Sequence, residues 1–253
     1  MNNKIRVGAV SYLNTKPLTY AFEHGAMQDK LDLNFDYPSK LAGQLLNDEI
    51  DIGLIPVAVI PMLKEYHIVS NYCIATDDEV ASVCLFSEVP IHEIETILLD
   101  YQSRTSVALL KILLNQHWKI APLLQEAHEG YENMISGKTA GLVIGDRALS
   151  QRTHSKYIYD LALEWKAMTG LPFVFAAWVS NKKITDVFLL EFNESLQKSL
   201  LSIDEIVSSM NYSDYDLSVY YKHNINYLLD ENKRRGLKLF LEKITNFQGA
   251  VFR

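Results

Sequence analysis

Apolar and polar positions divide this chain into alternating strand and helix segments. Ile5, Val7, Ala9 and Val10 make a short apolar run suited to a strand covered on both faces. Ser11 to Thr15 are turn and cap types, and Pro17 fits the first turn of a helix over Lys16 to His24, where its missing N–H costs nothing. Leu31 to Tyr37 alternates apolar and polar with a period of two, the mark of a strand with one wet face. Pro38-Ser39 opens a helix over Lys40 to Asn47, and Ile50 to Pro56 reads as a buried strand. This βαβαβ order predicts a parallel sheet.

Tyr66 to Ala75 and Val80 to Phe86 are further strand-like runs, separated by the acidic turn Asp77-Asp78-Glu79. A second α/β unit then begins: Thr96 to Asp100 is a strand, and Ser103-Arg104-Thr105-Ser106 opens an apolar helix to about His117. Gly141 to Asp146 is a buried strand ending in a Gly-Asp turn. Phe173 to Val179, after Thr169-Gly170-Leu171-Pro172, is the last strongly strand-like stretch. From Thr185 onward the spacing is helical to the end. The pattern predicts an interrupted, two-lobed α/β fold. Residues 1–86 and 178–253 form the first lobe and residues 87–177 the second, with hinge crossings near Val83 to Glu88 and Ala176 to Val179. A ligand is expected between the lobes.

A length of 253 residues and 48% hydrophobic content suffice for a packed core. The formal net charge of -7 argues against bulk attraction to nucleic acid or to an anionic membrane, so an anionic ligand must be held by local dipoles and a few cations. No apolar run is long enough to span a bilayer, and the first strand begins without a secretory leader, which predicts a cytoplasmic protein. Cys73 and Cys84 lie in apolar surroundings and are expected to be reduced and buried.

Several chemistries lose their support. His24, His67, His92, His117, His128, His154 and His223 form no metal-binding pattern. Ser136-Gly137-Lys138-Thr139 looks like the end of a phosphate loop, but Glu132 stands where its first glycine belongs. Neither a GxSxG elbow nor a GxGxxG loop occurs, so no dinucleotide and no other cofactor is expected. Tyr131, Tyr157, Tyr159, Trp165, Tyr212, Tyr215, Tyr220, Tyr221 and Tyr227 do not interleave with basic residues and read as packing groups. Asp100, Asp146 and Asp160 stand at strand ends or helix starts, where carboxylates serve as caps.

What remains is a pair of polar turns, Ser11 to Thr15 and Ser103 to Ser106, each between a strand and a helix N-terminus. Free backbone N–H groups and the positive end of the helix dipole make such turns anion sites, although the same residues also serve as plain caps.

Four stretches together resemble one family: VSYLNTKPL at Val10 to Leu18, LLDYQSRTS at Leu98 to Ser106, LVIGDRAL at Leu142 to Leu149, and DLALEWKAMTGLPFVFAAW at Asp160 to Trp178. The resemblance is to the chorismate dehydratases of the futalosine route to menaquinone. It implies a two-lobed periplasmic-binding-protein type II fold and a cofactor-free, metal-free cytoplasmic hydro-lyase that converts chorismate to 3-[(1-carboxyvinyl)oxy]benzoate and water. Asn14 and Ser82 match the family's functional polar residues. The matched stretches put forward Ser11, Tyr12, Thr15, Ser103, Arg104, Thr105, Ser106, Gly145, Asp146, Gly170, Leu171 and Pro172 as substrate-binding. One departure stands beside Ser82: Asp78-Glu79 replaces a small Gly-Pro type turn.

Chorismate is a dianion, and two helix N-termini can grip it from opposite sides, with Arg104 adding a charge-assisted bond. The matched positions offer no evident base, which leaves the substrate's own enolpyruvyl carboxylate for that role. A small-anion solute-binding or sensor protein of the same fold is the alternative from another class. The related 1,4-dihydroxy-6-naphthoate synthase is an alternative within the same route.

Overall fold

The computed structural model describes residues 4–25 and 27–251. The chain opens as β1 (Ile5–Val10), α1 (Lys16–His24), β2 (Leu31–Asp36), α2 (Pro38–Leu46) and β3 (Ile52–Pro56), followed by β4 (His67–Thr76). β1 pairs in parallel with both β2 and β3, as the sequence predicts. Gly8 and Gly53 face one another across the second of these pairs, and a Cβ on Gly8 would meet Leu41 of α2 at 2.6 Å. The missing side chain is what lets α2 close on the sheet.

The chain then changes sheets. It forms β5 (Val83–Ser87), β6 (Thr96–Leu99), α3 (Arg104–Leu113), β7 (Leu123–Glu126), β8 (Thr139–Ile144), α4 (Asp146–Gln151), β9 (Tyr157–Asp160) and α5 (Leu161–Thr169). It returns as β10 (Phe173–Ser180), α6 (Asp186–Leu201), α7 (Ile203–Ser209), α8 (Leu217–Val219), β11 (Asn226–Leu228) and α9 (Glu231–Val251). One sheet has six strands in the order β11-β4-β10-β3-β1-β2, and the other has five in the order β7-β6-β8-β5-β9.

β10 inserts antiparallel between β3 and β4 and is buried along its whole length, which is why its sequence is an unbroken apolar run. Its Trp178 packs edge-on against Phe192 of α6 and Phe22 of α1, with ring centroids 5.2 and 6.0 Å away. Each such fully buried ring contributes about 1.5–3 kcal/mol. This cluster ties the C-terminal helices back onto the first sheet.

The boundaries expected at 86/87 and 177/178 fall inside β5 and β10. The sheets exchange instead at residues 77–82 and 161–172, because Cys84 to Phe86 pair with β8 and β9 while β10 belongs wholly to the six-stranded sheet. The tail is not all helix: the three-residue β11 pairs with β4, and a strand that short carries no readable alternation. β7 and β9 also escaped the pattern; β7 is a largely exposed edge strand and β9 is only half-buried over most of its length.

The acidic turn in the first crossing is neutralised residue by residue. Asp77 pairs with Lys233 at 2.9 Å, Asp78 with Lys166 at 2.5 Å and Glu79 with Arg152. Beyond it, Ala81 takes the left-handed φ of 62°, and the Ser82 amide donates to the Val80 carbonyl at 2.7 Å, closing a strained γ-turn. Asp160 holds this turn from the second sheet. Its Oδ2 accepts the Ala81 N–H at 2.8 Å while Oδ1 caps α5 through Ala162 and Leu163. Arg152 donates to the Ala81 carbonyl at 3.2 Å, so both sides of the strained peptide are pinned.

Candidate active site

The carboxyl ends of β1, β2, β3, β6 and β8 converge on one cleft between the sheets, the place where α/β sheets bind ligands. The cleft is narrow, with a cavity volume of about 50 Å³. Its walls are apolar, formed by Val10, Pro38, Pro56, Ile74, Val83 and Phe175 among others. Its polar lining is Tyr12, Asn14, Ser82, Ser103, Ser106 and the backbone of Gly145.

Asn14 sits in the one-turn 3-10 segment Leu13–Thr15 that follows β1. Neither that segment nor α1 has a side-chain N-cap, so Asn14 is not held there as a cap. Its Oδ1 accepts from the Thr15 hydroxyl at 3.3 Å, and its backbone carbonyl accepts from the Tyr227 hydroxyl at 3.0 Å. Ser82 is fully buried at the exit of the strained turn, and its Oγ accepts from the Tyr220 hydroxyl at 2.7 Å. Ser103 does act as a cap: its Oγ accepts the Ser106 N–H at 3.2 Å and shares a 2.8 Å hydrogen bond with the Ser106 hydroxyl. They sit at the N-terminus of α3, whose dipole points into the cleft wall.

Contacts cross the cleft. The Tyr12 hydroxyl donates to Gln102 Oε1, the Leu13 N–H donates to Asp146 Oδ1 at 3.1 Å, and the Ala58 N–H donates to Thr105 Oγ1 at 3.2 Å. The loop after β1 therefore already holds a carboxylate, that of Asp146, on a backbone N–H. Burial pushes the Asp146 carboxyl above its ordinary pKa and does the same to the Tyr12 phenol. Behind Gln102, Arg147 pairs with Asp100 at 2.6 Å and also with Glu132.

Other expected contacts lie off this cleft. Ser11 is exposed, and with Thr15 it lines a separate shallow pocket beside Lys16. Arg104 is exposed and points its guanidinium at Met62, so it brings no charge to the cleft. Thr105 is spent on Ala58, and Asp146 on Leu13. Gly170 closes α5 in the left-handed conformation with φ 74°, and the Pro172 carbonyl accepts from Trp165 at 3.2 Å. Gly170-Leu171-Pro172 thus turns the chain back into the first sheet and does not line the cleft.

The sequence reads Tyr220 and Tyr227 as packing groups and does not put Gln102 forward, yet both tyrosine hydroxyls bond to site residues. The two tyrosines lie more than a hundred residues from their partners in a stretch dense with tyrosine, so no spacing marks them. Cys73 and Cys84 are buried and free. Among the described residues, no group of three or more His, Cys, Asp or Glu is placed to hold a metal, and no helix is long and apolar enough to cross a membrane.

Two α/β sheets joined by paired crossings, with a cleft between them, define a periplasmic-binding-protein-like fold. The protein AF1704 of Archaeoglobus fulgidus superposes with a TM-score of 0.75 at 16% identity, covering 98% of both chains. The alkanesulfonate-binding protein SsuA of Xanthomonas axonopodis pv. citri, bound to MOPS, superposes at 0.61 with 14% identity, covering 97% of this chain and 92% of that one. At these identities the likeness is one of fold. The sequence goes further: the chain belongs to the menaquinone biosynthesis family, whose model matches residues 5–246. It is also 26% identical over 261 residues to the chorismate dehydratase of Thermus thermophilus, covering 94% of each.

Proposed function

We propose that this protein is a chorismate dehydratase of menaquinone biosynthesis, a cytoplasmic carbon–oxygen lyase acting by the futalosine route. The observation that carries the reading is that Asn14 and Ser82, separated in sequence, line one cleft in a chain of this family. Membership of the family and the similarity to a chorismate dehydratase support it.

Dehydration removes the proton from ring C3 and the hydroxyl from C4. The C3–H electron pair becomes the new ring double bond, the C4–O bond breaks, and the proton leaves with the departing oxygen as water. Aromatisation drives the step. The cleft's polar lining consists of a phenol, an amide, hydroxyls and backbone groups, none of which acts as a base near neutral pH. In this reading the base is the enolpyruvyl carboxylate, which hangs from C3 on the substrate itself. Asn14 and Ser82 orient the ring and hydrogen-bond to the oxygen as it departs. The α3 N-terminus, with Ser103 and Ser106, favours the substrate's negative charge. The apolar walls exclude water and strengthen each of these polar contacts.

Ultraviolet spectra of chorismate mixed with the purified protein test this. A dehydratase converts the diene spectrum to that of a substituted benzoate. A solute-binding protein of the same fold leaves it unchanged.

A further inference from the structure

The C-terminal segment threads back to the cleft and places one hydroxyl behind the candidate site. After α8 the chain makes a π-turn, Tyr220–Asn224, a form frequent at functional sites. Its first residue, Tyr220, is completely buried, with Tyr221 and Tyr215 rings 5.5 and 6.2 Å away. The Tyr220 hydroxyl donates to Ser82 Oγ at 2.7 Å. Among the described residues, Ser82's own hydrogen has only a long contact, to the Val80 carbonyl at 3.4 Å.

We propose that Tyr220 is a positioning residue that aims the Ser82 hydroxyl hydrogen at the departing C4 oxygen of chorismate. The proposal rests on the dehydratase reading. Because Ser82 Oγ accepts from Tyr220, its own hydrogen points away from that bond, and the long 3.4 Å contact to the Val80 carbonyl leaves it free to turn to a substrate oxygen in the cleft. A hydroxyl that accepts one hydrogen bond is also polarised into a better donor of the next. Burial keeps the phenol protonated far above neutral pH, so it stays a donor throughout the working range. Tyr227 completes the arrangement by fixing the Asn14 backbone at 3.0 Å. The tail thus holds both residues from behind, without itself lining the cleft.

The test is a double-mutant cycle on kcat, KM and product affinity, using Tyr220→Phe, Ser82→Ala and the two combined. Phenylalanine keeps the ring and removes only the hydroxyl, and thermal melts of all three variants establish that they are folded. Tyr220→Phe is expected to lower kcat roughly tenfold to a hundredfold, with KM and product Kd within about threefold of the parent. The combined variant should be no slower than Ser82→Ala alone, because Tyr220 acts through Ser82. A purely structural role would instead give multiplied losses, or a shift in KM and melting temperature with kcat intact, and either result overturns the proposal. A parent protein that does not turn chorismate over overturns the dehydratase reading, and this one with it. An active parent with an unaffected Tyr220→Phe overturns this one alone.

Discussion

The Gly145 amide donates to the Ser82 carbonyl at 2.8 Å, and the ring of Tyr12, from the other sheet, lies against the same glycine. One residue thereby links the candidate catalytic serine to a side chain from the opposite wall. Gly145 has φ +65°, and a Cβ there would stand 3.3 Å from three atoms of the Tyr12 ring. Gly145→Ala is expected to cost about 1–3 kcal/mol, because φ 65° with ψ −147° is a backbone conformation essentially reserved for glycine, and to displace Tyr12. The KM for chorismate should rise while the fold survives. Denaturant unfolding and steady-state kinetics check this, and an unchanged KM would show that the Tyr12 ring does not shape the site.

Ser82→Ala and Asn14→Ala test the site assignment. Losing one donor at a developing negative charge costs on the order of a hundredfold to a thousandfold in turnover. Leaving a buried donor without its partner costs about 1–3 kcal/mol of stability. Both variants should therefore melt within a few degrees of the parent and bind product, yet turn chorismate over very slowly. Near-parent turnover in either variant removes that residue from the mechanism.

Asp160 gives the protein an unusual pH dependence. Burial raises its carboxyl from 3.8 to about 6, against the pull of the backbone N–H groups it accepts. The folded state therefore holds an additional proton between about pH 4 and pH 6. In that window this group's contribution to stability falls as pH rises, by on the order of 3 kcal/mol in all, and it is flat above. Asp160→Asn should be less stable than the parent at every pH, since it disturbs the N–H groups of Ala81, Ala162 and Leu163. The difference between parent and variant should narrow as pH rises from 4 to 6. Parallel stability curves across that range would show that Asp160 titrates elsewhere.

Opening of the cleft requires the Tyr12–Gln102, Leu13–Asp146 and Ala58–Thr105 hydrogen bonds to break. Substrate then has to replace them. Gln102→Ala combined with Asp146→Ala should increase the radius of gyration of the free protein in small-angle scattering, and product should restore the parent value. Identical curves for parent and variant, with and without product, would mean that the two sheets do not move apart.

The parts of the fold written in local pattern were legible in the sequence. β1 to β3, α1, α2 and the buried β10 carry alternation, unbroken apolar runs and helix-start signals, and all were anticipated. Asn14, Ser82, Tyr12, Ser103, Ser106 and Gly145 were also named from the sequence, and they meet in one cleft. What the sequence did not carry was long-range pairing. Nothing local indicates that Val83 to Ser87 pairs with β8 and β9, or that Tyr220 reaches Ser82 across 138 positions. Arg104 was put forward because a cation at a helix start can serve as an anion ligand; its long side chain follows the surface to Met62. Gly170-Leu171-Pro172 was put forward because it lies in a stretch matched to the family, and in the fold it is the turn that ends α5.

The measurement closest to the central claim is the mass of the product formed from chorismate. Incubation with the purified protein should give an aromatic product lighter than chorismate by one water, with the three-carbon enolpyruvyl group still attached through its ether oxygen. Loss of pyruvate in place of water would mean a different lyase. Recovery of unaltered chorismate, bound or free, would contradict the dehydratase account altogether.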